Sequence, residues 1–204
     1  MNAVPDHIID HLAKDEVMAA IIKACNIDYR ISKISVFEAL IQSIVSQQLS
    51  TKAAATIYAR FRSSINSEAS VSAQIINMEI EDMRALGLSY QKAGYIKNVT
   101  TFFDHHNLYE FEWEALPDEE IIARLTQIKG VGKWTVEMML MFVLGRENVL
   151  PLDDLIIRTH IIKHYNITSQ KHQLILDLKA VASPWQPYRS IACRYLWAAK
   201  DSVI

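Results

Sequence analysis

Apolar residues in this chain recur at helical spacing. In VFEALIQSIVSQQL, Phe37, Leu40, Ile41, Ile44 and Val45 fall at i, i+3, i+4, i+7 and i+8, one side of a helix. Ser35 stands where a hydroxyl can cap its first turn. HIIDHLAKDEVMAAIIKAC reads as two short helices or one broken one, and TKAAATIYARF as a helix capped by Ser50 or Thr51. SAQIINMEIEDMRAL reads as one helix stopped at Gly87, and Ser89 starts YQKAGYIKNVTTFF. Pro117-Asp118-Glu119-Glu120 combines a fixed φ, a capping oxygen and negative charge at the start of EEIIARLTQI. KWTVEMMLMFVL runs to Gly145, and DLIIRTHIIKHY, KHQLILDLKAVA and PYRSIACRYLWAAK complete the set. The pattern predicts an all-α protein of about ten helices, with no strand and no tandem repeat.

Composition narrows the function classes. The chain has 204 residues, half of them hydrophobic, and a net charge of -2. That length fits one large domain or two small lobes. No apolar run reaches membrane-spanning length. The N-terminus MNAVPDHIIDHLAKDE is acidic and has no apolar signal core, so an intracellular protein with reduced thiols is expected. Cys25 and Cys193 make no zinc or iron–sulfur spacing, and no cofactor is expected. With this charge balance, any nucleic-acid contact must come from a local basic face or from backbone donors.

Three of the five glycines lie between Leu125 and Leu155. A helix, then Ile128-Lys129-Gly130-Val131-Gly132, then a helix, is a helix-hairpin-helix pattern; the plain alternative is a corner between two helices. Glycines let the chain reverse tightly and leave backbone N–H groups open at the start of the second helix. That helix end suits a phosphate, and backbone donors grip DNA without reading its sequence. Lys129 and Lys133 flank the turn. Roughly twenty residues on come Pro151-Leu152-Asp153-Asp154-Leu155. Alone, that carboxylate pair reads as an ordinary N-cap; after the hairpin it reads as a site.

This stretch resembles the helix-hairpin-helix DNA glycosylase superfamily, in which a hairpin, a helix and a short loop lead to a proline and a catalytic aspartate. Asp154 matches that aspartate. A carboxylate there can stabilise the positive charge that develops on a deoxyribose as its base departs, and can orient water. Members that also cut the strand carry a lysine two residues after the second hairpin glycine, which forms a Schiff base with the sugar. Trp134 stands at that place, and Lys133 points about 100° away around the helix. The resemblance therefore implies a monofunctional glycosylase. The iron–sulfur cysteines of the endonuclease III branch are missing.

Within the superfamily, GVGKWT resembles the alkyladenine branch, of DNA-3-methyladenine glycosylase II type. FEALIQSIVSQQLSTKAA, MRALGLSYQKAGYIKNV, WQPYRS and RYLWAAKD match segments of that branch, over about residues 15–200. No segment matches the N-terminal β domain of the longer bacterial enzymes, so the short form is implied. The resemblance assigns Gln47 and Gln48 to the loop that enters the gap in the duplex. An amide at Gln48 replaces the bacterial intercalating leucine. Trp134 and Trp197 are the candidate faces for a cationic alkylated purine, by cation–π contact worth about 0.5–2 kcal/mol. Met138 replaces a pocket tyrosine. Carbonyls of Thr126, Ile128 and Gly130 are implied to hold a monovalent cation of structural role; no catalytic metal is implied.

Other features read more plainly. His160 and His164 at i, i+4 lack a third ligand and read as a solvated helix face. Ser89 caps a helix, while Lys92, Lys97, Arg158 and Arg189 could form a basic face. Trp113, Trp185 and Tyr188 read as packing residues, and by themselves Met138, Met139 and Met141 read as core filler.

The resemblance implies two helical lobes, about 35–145 with the hairpin and about 1–34 plus 146–204, with an active cleft between them. It implies a monomer that flips alkylated purines (3-methyladenine, 7-methylguanine) out of duplex DNA and hydrolyses the N-glycosidic bond, with no membrane partner. The compartment would be cytoplasm or nucleoid in a bacterium and nucleus in a eukaryote. The competing readings are a non-catalytic helix-hairpin-helix module for damaged DNA and a glycosylase for uracil or oxidised bases.

Overall fold

A computed structural model describes residues 3–66 and 70–199. Lys200 and Asp201 of the RYLWAAKD segment lie outside the described residues. Among the described residues, all regular elements are helical: α1 (Asp6–Leu12), α2 (Glu16–Ala24), α3 (Val36–Ser46), α4 (Thr51–Ser63), α5 (Val71–Asn77), α6 (Ile80–Ala85), α7 (Tyr90–His106), a short 3-10 turn (Trp113–Ala115), α8 (Asp118–Leu125), α9 (Lys133–Phe142), α10 (Leu155–His164), α11 (Lys171–Ala182) and α12 (Arg189–Ala198). None is long and apolar enough to cross a membrane. The chain forms two compact units, Lys33–Met139 and Met1–Ser32 with Leu140–Ile204.

The helix starts are set by side chains. The hydroxyls of Ser35, Ser50, Ser70 and Ser89 accept from the N–H three residues on and open α3, α4, α5 and α7. Pro117 itself stands at the N-cap of α8, and Asp118 is the first helical residue. The three acids of the first turn remain at the positive end of the dipole.

In the unit Lys33–Met139, α7 is the central element and packs on α3, α5 and α6. Its Ala93, Ile96, Val99, Thr100 and Phe103 are buried, as are the five α3 residues the spacing selects. Each buried Val, Leu, Ile or Phe side chain among them stabilises by about 1.5–3 kcal/mol. Phe37, Phe103, Tyr109 and Trp113 form one ring cluster, with Phe37–Phe103 at 5.3 Å and Phe37–Tyr109 at 5.0 Å. The single helix expected through SAQIINMEIEDMRAL is two, because Met78 and Glu79 are extended. Both pieces pack on α7, with Ile75 and Met83 buried.

Two lysines expected on a basic face are structural instead. Lys92 Nζ donates to the Val45 carbonyl at 2.8 Å, and burial lowers its pKa. Lys97 Nζ donates to the Ile76 carbonyl at 2.8 Å. Each ammonium satisfies a carbonyl of a last helical turn, α3 and α5 respectively.

In the other unit, α12 packs on α10 and α2, and α10 on α11. Asp15 is the polar hub. Its Oδ1 accepts from the N–H groups of Val17 and Met18 at the start of α2. Its Oδ2 accepts from Tyr165 Oη at 2.6 Å and Trp185 Nε1 at 3.0 Å. Burial first, then the Asp15 contact, raises the Tyr165 pKa. Trp185 is fully buried, and Tyr188 meets the rings of His7 and His11 edge-on. Cys25 and Cys193 are both buried, with no disulfide between them. Arg189 is engaged with Asn148 through Oδ1 at 2.8 Å and the carbonyl at 2.9 Å, which removes a third member of the expected basic face.

His160 and His164 are half-buried rather than solvated, with ring centroids 5.6 Å apart. Desolvation lowers both pKa values, and Lys163 adds to the effect. No group of three or more potential His, Cys, Asp or Glu metal ligands occurs among the described residues.

Candidate active site

The two aspartates after Pro151 differ sharply. Asp153 is exposed, whereas Asp154 is buried. A short turn, with the Asp154 N–H on the Pro151 carbonyl at 3.0 Å, carries the chain into α10. Asp154 is the N-cap, and its Oδ1 accepts from the Ile157 N–H at 3.0 Å. The same oxygen accepts from Trp197 Nε1 at 3.1 Å. The carboxylate is thus fixed by a helix start and by an indole from α12. Next to it, Leu155 is 78% exposed, the most exposed of the large apolar side chains described.

Trp197 is half-buried and stacked on Phe142, with centroids 5.7 Å apart and planes 29° apart. The guanidinium of Arg194 lies 5.2 Å from the Phe142 ring centroid. Neither Phe142 nor Arg194 stands out in the sequence. Their only signal is that Arg194 precedes Trp197 by one helical turn.

The hairpin belongs to the other unit. Ile128 closes α8 by donating to Leu125, and Val131 N–H returns to the Ile128 carbonyl at 3.0 Å. Of the two hairpin glycines only Gly130 adopts a left-handed φ, +107°. A Cβ there would stand 2.2 Å from Cγ of Tyr95. Gly132 has an ordinary φ, and a Cβ there would meet nothing within 4 Å. Gly130 makes the turn, and Gly132 keeps the helix start open. The first N–H groups of α9 have no preceding helical turn to bond them.

One stripe of α7 braces this turn. Gln91, Tyr95 and Asn98 fall at i, i+4 and i+7. Gln91 Nε2 donates to Tyr95 Oη at 2.6 Å, the Tyr95 ring covers Gly130, and Asn98 Nδ2 donates to the Lys129 carbonyl at 3.1 Å. The sequence pattern marks the segment but not these roles; a polar–aromatic stripe on a packed helix is the signal that would mark them. Gln47 is the C-cap of α3, and its Nε2 donates to the Gly130 carbonyl at 3.4 Å. Gln48 is exposed, with φ +58°, and Leu49 beside it is also exposed. The Ile128 carbonyl accepts from the Val131 N–H and the Gly130 carbonyl from Gln47 Nε2; a carbonyl oxygen has two lone pairs, so these bonds do not by themselves bar a monovalent cation.

On α9, Trp134 is 41% exposed and Met138, one turn later on the same face, is half-buried. Lys133 Nζ lies 3.3 Å from Oε1 of buried Glu137, so its charge is partly committed within the helix. Lys129 is exposed.

Known proteins give this geometry a context. Residues 41–184 match the HhH-GPD superfamily of base excision DNA repair proteins. DNA-3-methyladenine glycosylase 1 of Schizosaccharomyces pombe is 38% identical over 164 residues, 79% of this chain and 71% of that protein. The structure of the Schizosaccharomyces pombe 3-methyladenine DNA glycosylase (Mag1) in complex with abasic DNA superposes with a TM-score of 0.76 at 33% identity, covering 94% of this chain and 95% of the other. A DNA-3-methyladenine glycosidase from Bacillus halodurans superposes with a TM-score of 0.81 at 30% identity, covering 99% and 94%. A turn made by one glycine and kept open by a second, together with a buried N-cap carboxylate downstream, is thus found in a chain that belongs to the HhH-GPD superfamily of base excision DNA repair proteins.

Proposed function

We propose that this glycosylase hydrolyses the N-glycosidic bond of alkylated purines, of the 3-methyladenine and 7-methylguanine type, in duplex DNA and leaves an abasic site. The observation that carries the reading is the fixed Asp154 carboxylate: buried, at a helix start, with Oδ1 held by Ile157 and Trp197. Alkylation at N3 or N7 makes the purine cationic and a good leaving group. The sugar then gathers positive charge, which a preorganised carboxylate stabilises without reorganising at the moment of reaction. Water is the nucleophile and needs orientation only.

The hairpin grips the phosphate backbone through N–H groups at Gly130, Gly132 and the start of α9, the Val131 N–H being held within the turn by the Ile128 carbonyl, with Lys129 adding charge and Lys133 a smaller share. Gln48, exposed at the end of α3, fills the space that the flipped nucleotide leaves, and Gln47 ties that loop to the hairpin. Trp134 and Trp197 present aromatic faces to the cationic base, and Met138 replaces an aromatic wall with a flexible one. A monovalent cation at the carbonyls of Thr126, Ile128 and Gly130 steadies the hairpin and takes no part in the chemistry. The protein acts as a monomer, in the nucleoid of a bacterium or the nucleus of a eukaryote.

The test is release of free 3-methyladenine and 7-methylguanine from methylated duplex DNA. Wild type releases both, and Asp154→Asn slows release on the order of 10²–10³-fold while still binding abasic DNA. Binding without release by wild type identifies a non-catalytic damage-binding module, and release of uracil alone assigns a different lesion class.

A further inference from the structure

We propose that Arg194 is a positioning residue for the catalytic carboxylate: through the ring of Phe142 it holds the Trp197 indole at the angle from which its N–H meets Asp154. This rests on Asp154 being the catalytic carboxylate, as argued above.

The four side chains form a continuous series. Trp197 Nε1 donates to Asp154 Oδ1 at 3.1 Å. The indole stacks on Phe142, 5.7 Å between centroids with planes 29° apart. The Arg194 guanidinium lies over the Phe142 ring at 5.2 Å. It is itself anchored, since Nη2 donates to the carbonyls of Asp28 and Arg30, the latter at 3.3 Å. Arg194 and Trp197 sit at i, i+3 on α12, so both face Phe142 from one side of the helix.

A packing role alone does not account for an arginine here. The guanidinium is half-buried, and burial lowers its pKa, the sign of a charge held where solvation is poor. An apolar side chain of similar volume would fill that space without the desolvation cost. What it would lack is a planar cation that stacks on a ring while its edge is fastened to two carbonyls. An indole N–H reaches a carboxylate oxygen from a narrow range of ring angles. Bracing the ring below it therefore sets how much of the time Asp154 is held in one orientation.

The experiment is a double-mutant cycle on the single-turnover release of 7-methylguanine from methylated duplex DNA. It uses wild type, Arg194→Met, Trp197→Phe and the double variant, each also measured for affinity toward abasic duplex and for melting temperature. Trp197→Phe keeps a ring on Phe142 and removes the N–H. We expect Arg194→Met to lower the rate about tenfold and leave abasic-DNA affinity within about twofold. The double variant should be no slower than Trp197→Phe, because Arg194 acts through that N–H. Rates that multiply across the cycle overturn the proposal, as does an Arg194→Met rate within twofold of wild type. So does a loss of rate that only follows the loss of folded protein in the melting data. Asp154→Asn in the same assay separates the two levels: a wild-type rate there removes the catalytic assignment itself.

Discussion

Asp154 and Trp197 share one hydrogen bond across 43 residues of sequence, from indole Nε1 to carboxylate Oδ1 at 3.1 Å. The same oxygen caps α10. One atom therefore serves both the stability of a helix and the orientation of the carboxylate, and substitutions separate these uses.

Asp154→Asn keeps a side-chain oxygen that can accept from Ile157, so its melting temperature should stay near wild type while base release collapses. Asp154→Ala removes the cap as well and should cost about 1 kcal/mol of stability. Thermal melts of the two variants, read beside their release rates, check this. Equal melting of both would mean that the cap does not matter to α10.

The two hairpin glycines should respond oppositely. Gly130→Ala forces a side chain into a left-handed φ against the Tyr95 ring, and a destabilisation of about 1–3 kcal/mol is expected, with loss of DNA affinity. Gly132→Ala meets open space at an ordinary φ, so the fold should be unharmed or slightly stabilised. Its methyl group stands where the phosphate is proposed to approach, and a fall in affinity of about tenfold is expected. Melting curves and abasic-DNA titrations distinguish the two.

Because Trp134 stands where lyase-competent relatives would carry lysine, and the nearby Lys133 is engaged with Glu137, borohydride should trap no covalent adduct with abasic DNA. Trapped protein on a denaturing gel would establish an amine nucleophile and overturn the monofunctional reading.

Acid should destabilise α10 through His160 and His164. Desolvation, followed by the neighbouring histidine and Lys163 for His160 and by Lys163 for His164, lowers both folded-state pKa values below 6.5. Above pH 6.5 both states are neutral and nothing is lost. As pH falls from 6.5 toward the folded-state values, the unfolded chain takes up protons that the folded chain resists, and stability declines. Melting temperature between pH 7.5 and 5 should fall less steeply for His160→Gln than for wild type. Parallel curves would sink the assignment.

Most of the helices were legible in the sequence because their signals are local. Ser35, Ser89 and Asp154 cap the helices that their positions announce, and the apolar face of α3 is the one its spacing selects. The break at Met78–Glu79 was not legible, because nothing in either side chain forbids a helix; packing of two short pieces on α7 decides it. Lys92 and Lys97 looked like surface cations, since a lysine reveals its carbonyl partner only when a distant helix end is brought beneath it. In the site, the hairpin and Asp154 are visible in the chain because they are continuous motifs. The Arg194–Phe142–Trp197 series is not, for it joins side chains from two helices far apart in sequence.

Tyr95 and Asn98 give the hairpin a property that its own sequence cannot confer. A loop that must be ordered by its ligand gives up part of the binding free energy to lost motion, whereas this turn is already clamped by a ring above Gly130 and an amide on the Lys129 carbonyl. On the proposed function, DNA would meet a rigid socket, with little entropy left to surrender on contact. The motif is consequently not portable. Lifted out with α8 and α9 but without α7, it would carry every hairpin residue proposed to touch phosphate and lose the shape that would make the touch favourable.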